Sequence, residues 1–421
     1  MTHVPGAVAL TFDDVFLVDG ARTPFCDYNG ALSTVSPTDL GIKAGRTAIA
    51  RAGVDPKTIG TVVAGNMAQA SFDAYFLPRH VGLYCGVPVE VPAHLVQRIC
   101  GTGVEVISQA ADAIALGRAE VALAVGAESM SRNPVAAYTH RSGFRLGQIE
   151  FKDFLWESLL DTSCSTTMGG TAENLAKKYG ISREEVDAFA ARSFERALAA
   201  RADGFFDEEI VAVSDETFEL EGYNTRAIKL PKKGDVVRED SHVRPSPIEA
   251  LAKIRPAFGG VQTGGNSSAV VDGAAAVVLA SRAWVTANAK TPLARIVACA
   301  SVGVPPEFMG IGPVPAIRAV CEKAGIAVAD VDRIEINEAF GAQIMACARE
   351  LGLDEEKLDV NGGAIAIGHP LGATGVRLTL TVSRELKRRG LRYGIASACI
   401  GGGQGIAMLV ENPQAVRGGV A

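Results

Sequence analysis

RTAIARAGVDPKTIGTVVAGN, Arg46 to Asn66, and IRAVCEKAGIAVADVDRIEIN, Ile317 to Asn337, read as two copies of one unit. Each begins as a helix stopped by a glycine, Gly53 in the first and Gly325 in the second. A short polar turn follows, and a β-branched run then ends in asparagine, Asn66 or Asn337. The two glycines stand 272 positions apart and the two asparagines 271. The register continues downstream. After Cys100, VEVISQAADAIALG places Ile107, Ala110, Ala111 and Ile114 on one helical face; Gly117 stops it, and VALAVGA reads as a buried strand. In the second copy the helix runs through VRLTLTVSRELKRR, Gly390 stops it, and YGIASACI is the strand. Cys100 and His369 occupy matching turns before matching helices, 269 positions apart.

Four pairings in order at nearly one offset predict two similar α/β domains, with strands and helices alternating around mostly parallel sheets. Ligands in such folds lie beyond the carboxyl ends of strands, so two matched domains bring both sets of strand-end turns together. The repeat is interrupted from Ser131 to Pro256 by a more polar stretch, in which Ser182 and Glu185 of SREE fit a capping box. The expected organisation is a first domain at 1–130, an inserted lobe at 131–256, a return to the first domain at 257–287, and a second domain at 288–421.

The totals narrow the function. A chain of 421 residues has room for two or more core-forming units. With 48% hydrophobic and 21% charged residues it is an ordinary globular composition, and 46 glycines with 6% aromatics suit tight turns and closely packed helices. A net charge of −6 and the lack of a Lys/Arg run argue against nucleic acid as a partner. No run reaches the roughly 18 apolar residues of a membrane span, so no membrane partner is expected. The eight cysteines form no C-x-x-C pair and only six histidines are present, which disfavours a zinc ribbon or a thioredoxin-like site. Scattered cysteines in a long chain point to buried thiols in a reducing compartment. MTHVPGAVALTFDD lacks a basic n-region, and RGGVA at the other end carries no address signal. A cytoplasmic location is the expectation.

Three residues carry candidate chemistry. Cys100, in RICGTG, is either a small buried residue or a nucleophile at a helix start, where unpaired N–H groups and the helix dipole favour thiolate. His369, in NGGAIAIGHPLGATG, is a hydrogen-bonded turn residue or the base that takes the Cys100 proton; no neighbouring histidine suggests a metal site. Cys399 stands at a strand end in CIGGGQG, before glycines whose N–H groups can form an oxyanion hole. Asn337 and Glu338 open NEAF at another strand end, where the asparagine either makes a turn or orients a water or carbonyl. GGNSSAVVDG lacks the Gly-Lys-Ser/Thr of a P-loop.

In combination the motifs become specific. RICGTG, TAENLA, GGNSSAVVDGAAA, MGIGPVPA, NEAF, NGGAIAIGHPLGATG and CIGGGQG, in this order, resemble the thiolases, the acetyl-CoA acyltransferases, from about Val18 to Val410. The resemblance implies two α/β domains in a five-layered α-β-α-β-α arrangement, with an inserted loop domain covering the coenzyme A site. It implies that Cys100 accepts the acyl group as a thioester, that His369 takes its proton, and that Cys399 exchanges a proton with the methyl carbon of acetyl-CoA. Asn337 would hold a water that forms one oxyanion hole with His369, and the N–H groups of Cys100 and Gly401 would form the other. Met168, Gly264, Ser268, Ala339 and Phe340 would line the coenzyme site, and Arg244 or Lys253 would meet its phosphates. Acyl-CoA and CoA are then substrates, no metal or other cofactor is required, and a homodimer or homotetramer is expected.

The chain departs from the pattern in places. Thr167 to Gly170 stand where short-chain thiolases carry His-Met-Gly-x, which puts acyl-chain preference in question. SFDAYFLPRH differs from the usual Gln/Gly-rich run near the dimer contact. NEAF argues against the sterol-carrier type, which has His-Asp-Cys-Phe there. Rival readings are a decarboxylating or hydroxymethylglutaryl-type condensing enzyme, with Cys-His-His or Glu-Cys-His sets, and a catalytically silent CoA-binding subunit. Cys399 speaks against the first, and the intact set of Cys100, His369, Cys399 and Asn337 against the second.

Overall fold

The computed structural model describes residues 4–69, 73–138 and 140–415. Met1 to His3, Ser71 and Phe72 of SFDAYFLPRH, and the C-terminal RGGVA lie outside them. The strands that build the body are β1 (Val8–Thr11), β2 (Val15–Arg22), β3 (Thr61–Gly65), β4 (Ala93–Val96), β5 (Val121–Glu128), β6 (Val271–Ser281), β7 (Ala294–Gly303), β8 (Arg333–Ile336), β9 (Tyr393–Ile400) and β10 (Gln404–Glu411). The principal helices are α1 (Pro37–Ala52), α2 (Leu77–Tyr84), α3 (Thr102–Ala115), α4 (Met168–Tyr179), α5 (Arg183–Ala202), α6 (Pro313–Ala324), α7 (Gly341–Leu351) and α8 (Leu371–Arg389).

The repeat is physical. Helices α1 and α6 both end on a left-handed glycine, Gly53 and Gly325, whose N–H groups close the last turn. β3 then runs into Asn66 and β8 into Asn337. α3 follows Cys100 by two residues and α8 follows His369 by two. The first half orders its strands β2-β6-β5-β3-β4, and the second β8-β9-β10-β7-β1. The two sheets touch edge to edge where Leu17 and Phe16 of β2 pair with Ala294 and Arg295 of β7.

Side-chain alternation fixes the layers. Along β5, Val121, Leu123, Val125 and Ala127 face the cluster under α1 and α2. Ala122 and Ala124 point the other way, into the core shared with α3 and α8. Helices α3 and α8 pack on each other between the sheets, and α6 covers the far face of the second sheet on β7 and β10. The order is helix, sheet, helix pair, sheet, helix. α3 and α8 cross almost backbone to backbone: a Cβ at Gly103 would lie 2.6 Å from the backbone nitrogen of Val376 and 2.7 Å from that of Gly375.

The sheets are mixed, which corrects the expectation of mostly parallel ones. Among the described residues, only the strand pairs β3 with β4, β3 with β5, and β8 with β9 are parallel. β6 enters only after the interrupting lobe and runs antiparallel to both β2 and β5. β9 and β10 form a hairpin, because Gly402 and Gly403 take positive φ of 85° and 82° and reverse the chain at once.

The interrupting stretch carries four two-stranded ladders between Val135 and Val237, with α4 and α5. The Ser182–Glu185 capping box forms as expected: Ser182 Oγ accepts from Glu185 N, and Glu185 Oε2 accepts from Ser182 N. Both α4 and α5 pack on α7 of the second half. This carries the lobe over the strand ends that hold the candidate residues.

Candidate active site

Cys100 sits in a single 3-10 turn, Ile99–Gly101, from which α3 emerges. Ile99 has φ 45°, a conformation that a β-branched residue rarely adopts. Thr102 holds the turn: its Oγ1 accepts from Arg98 N at 2.8 Å and donates to Ile99 O at 2.6 Å. The strained turn presents the sulfur to a cavity of about 250 Å³ whose wall also includes His369.

His369 is fixed from three sides. Its backbone N–H donates to Ala269 O, just ahead of β6, at 3.0 Å. Its Nδ1 lies 2.6 Å from Thr374 Oγ1, and its Nε2 lies 3.3 Å from Asn337 Nδ2. With the amide donating to Nε2, the Nδ1–H donates to the threonine hydroxyl. That leaves Nε2 as an acceptor, the tautomer a base requires. Asn337 Oδ1 is buried without a hydrogen-bond partner.

Cys399, the penultimate residue of β9, is fully buried. It packs with Met168, Met309 and Ala339, and these three line the cavity although Cys399 itself does not. Gly401 begins the hairpin turn, and its N–H and that of Cys100 itself are the backbone donors that reach the Cys100 sulfur. Gly402 and Gly403 serve the turn instead.

Burial sets the charges. The Cys100 thiol is pushed up to about 11, chiefly by desolvation; the N–H groups of Gly401 and Cys100 oppose this, and the Glu128 carboxylate adds to it. This corrects the expectation of a thiolate favoured by the helix start, since loss of water outweighs the donors. Burial, helped by the charge of Arg377, lowers the His369 imidazole to about 3. Burial first, then the neighbouring Cys100, raises the Cys399 thiol well above its ordinary value. Near neutral pH the three groups are thiol, imidazole and thiol.

Of the expected coenzyme-lining residues, Met168, Gly264, Ser268, Ala339 and Phe340 all face the cavity. Arg244 does not: its guanidinium stacks on Phe194 and its Nη1 lies 2.9 Å from His242 Nδ1. Lys253 is exposed. Sequence reasoning missed Thr374, although it stands five residues after His369 in the first turns of the following helix. It also missed Trp156, Leu159, Phe258 and Leu371, which make the cavity wall apolar. These come from separate segments, and only the fold gathers them. Among the described residues no group of three or more His, Cys, Asp or Glu side chains is disposed to hold a metal ion.

This combination of a cysteine–histidine pair at one pseudo-symmetric seam and a second thiol behind it belongs to a known class. Residues 15–283 match the model of the thiolase N-terminal domain, and residues 290–412 that of the thiolase C-terminal domain. The chain belongs to the thiolase family. It is 44% identical to the human mitochondrial 3-ketoacyl-CoA thiolase over 94% of this chain and 98% of that one. It is 42% identical to a beta-ketothiolase of Cupriavidus necator over 94% and 99%. The crystal structure of the human mitochondrial enzyme in complex with CoA superposes with a TM-score of 0.89 at 43% identity, covering 96% of this chain and 99% of that one. The acetyl-CoA acetyltransferase of Bacillus anthracis gives 0.88 at 40%, covering 95% and 99%.

Proposed function

We propose that the chain is an acyl-CoA:acetyl-CoA C-acyltransferase that works through an acyl-Cys100 intermediate. The observation that carries this reading is the placing of Cys100 and His369 on one cavity, with Cys399 packed behind its wall and the Gly401 N–H on the Cys100 sulfur. In thiolysis the Cys100 sulfur attacks the 3-keto carbon while its proton passes to His369 Nε2. The C2–C3 bond breaks, the acyl group stays on Cys100, and the electron pair left on C2 takes a proton from Cys399, giving acetyl-CoA. The CoA thiol, giving its proton to the Cys399 thiolate, then attacks the acyl-Cys100 thioester; the bond from the acyl carbon to Cys100 breaks, and the departing sulfur takes its proton back from His369. Condensation is the reverse, with Cys399 removing a proton from the acetyl-CoA methyl.

The charges constrain how this runs. Burial raises the thiol and lowers the imidazole, and both directions oppose a separate proton transfer from one to the other. Proton transfer is therefore coupled to attack, as negative charge moves from sulfur to the carbonyl oxygen. The N–H groups of Cys100 and Gly401, which act on the Cys100 sulfur, are assigned to stabilise that oxygen. Asn337, against His369 Nε2, is assigned the water of the second oxyanion hole.

The lobe at 131–256 supplies Trp156, Leu159, Thr167 and Met168 to the cavity, which supports its reading as the cover of the coenzyme site. Arg244 and Lys253 are assigned to the coenzyme phosphates, and a homodimer or homotetramer is the proposed assembly. The eight cysteines are free thiols, which supports a reducing compartment and the cytoplasmic reading. Cys100→Ala should abolish both thiolysis and acyl-enzyme formation; turnover by that variant would overturn the mechanism. Cys399→Ala should still acylate at Cys100 but exchange the α-protons of acetyl-CoA hardly at all. Thiolysis across 3-ketoacyl-CoA chain lengths and 2-methyl branching, with mass analysis of the trapped acyl-enzyme, fixes the substrate.

A further inference from the structure

The pseudo-symmetry that pairs Asn66 with Asn337 at 271 positions also pairs Glu128 with Cys399 at the same offset. Asn66, Cys100 and Glu128 are thus the first half's counterparts of Asn337, His369 and Cys399. Glu128 is the last residue of β5 and is almost fully buried. Its carboxylate accepts four hydrogen bonds. Oε1 takes Asn66 Nδ2 at 2.9 Å and Ala68 N at 3.2 Å; Oε2 takes Met67 N and Gly372 N, each at 2.9 Å.

Three of these donors belong to the loop after β3 in the first half. The fourth, Gly372, belongs to the first turn of α8 in the second. Helix α8 starts after Pro370, which offers no side-chain cap. Its leading N–H groups therefore need an acceptor from elsewhere, and a carboxylate there also suits the positive end of the helix. β5 and α8 meet without a spacer, because Gly126 leaves its face open to the backbone of Gly372. Glu128 thus fastens the chain three residues after His369, and two residues before Thr374, which closes the imidazole from the other side.

We infer that Glu128, braced by Asn66, is a positioning residue that caps α8 from the opposite half of the molecule and so sets His369 against Cys100. It acts through His369 and is assigned no contact with substrate. The inference rests on the acyl-Cys100 reading. A carboxylate suits the place because all four partners are donors. Glutamine, of the same shape, would turn an amide N–H toward two of them.

The test is Glu128→Gln in the full-length protein, with a pre-steady-state acylation by 3-ketoacyl-CoA followed by rapid-quench mass spectrometry of Cys100. The burst amplitude counts competent sites and the burst rate reports their geometry. Expected are a burst slowed at least about tenfold with amplitude close to wild type, kcat lowered in parallel, and KM for CoA within about twofold, since displacing a catalytic group by about 1 Å can cost as much as 10²-fold. A wild-type burst rate, or a loss confined to amplitude, overturns the inference. If Glu128→Gln does not fold, Asn66→Ala carries the test: a burst slowed at least about threefold at full amplitude supports the brace, and an unchanged burst rate overturns it. Failure of the wild-type protein to acylate at Cys100 would instead overturn the function on which the inference rests.

Discussion

Cys100 is held as a thiol, and this has a measurable consequence. With the group at about 11, the thiolate fraction rises about tenfold per pH unit between pH 7 and 10. Alkylation of Cys100 by iodoacetamide, followed site by site by mass spectrometry, should climb over that whole range; a plateau below pH 8 would contradict the burial argument. Thr374 bears on the partner. It is the acceptor for His369 Nδ1–H. Thr374→Val leaves the imidazole free to turn or to change tautomer, so kcat should fall by about 10²-fold, the scale of general-base assistance. The CoA KM should hardly change. At this scale much was legible in the chain: Cys100, His369, Asn337 and Cys399 all stand at the turns and strand ends where their spacing put them. The position of Arg244 outside the cavity was not, because Phe194, on which it stacks, comes from a helix 50 residues earlier in the chain.

The decisive element pair is α3 with α8. Each carries a candidate catalytic residue just ahead of its first turn, and they cross at Gly103 and Gly375. A Cβ at Gly375 would run into the backbone nitrogen of Val104, so the helices would have to part. Gly375→Ala should cost about 1–3 kcal/mol, as overpacked cores do. Thermal unfolding measures that cost, and acyl-enzyme formation should suffer more than stability, because the helix starts carry Cys100 and His369. The helix and strand boundaries here were readable from Gly117, Gly325 and Gly390. The direction of β6 was not, because a strand's polarity in a sheet depends on which end the chain returns to after the lobe.

The whole molecule buries several acids. Glu128 is raised to about 7, and Glu335, Glu338 and Asp359 are raised too, with desolvation the first cause in each. Arg377 is the cation among the last three, bonded to Glu335 at 3.0 Å. Acids whose folded pKa exceeds the unfolded value give stability that is full below about 4.5 and is lost as pH rises through the folded values. His369, lowered to about 3, has the opposite sign: its contribution is present above about 6.5 and is lost as pH falls toward 3. The thermal midpoint should therefore fall between pH 6 and 9. A midpoint that rises over this range would contradict the assignment.

The amino-acid sequence by itself determined the repeat, the helix stops at Gly53, Gly325 and Gly390, and the order of motifs that marks the family. These are local signals, carried by backbone conformation and spacing within a few residues. The protonation states at the site, the strained turn at Ile99 and the cross-half cap at Glu128 were decided only by the tertiary structure. The last of these depends on Gly126 and Gly372 coming into contact from opposite halves. Desolvation, too, is a property of everything that surrounds a group. The helix start at Cys100 was visible in RICGTG, but the packing that keeps its sulfur protonated was not.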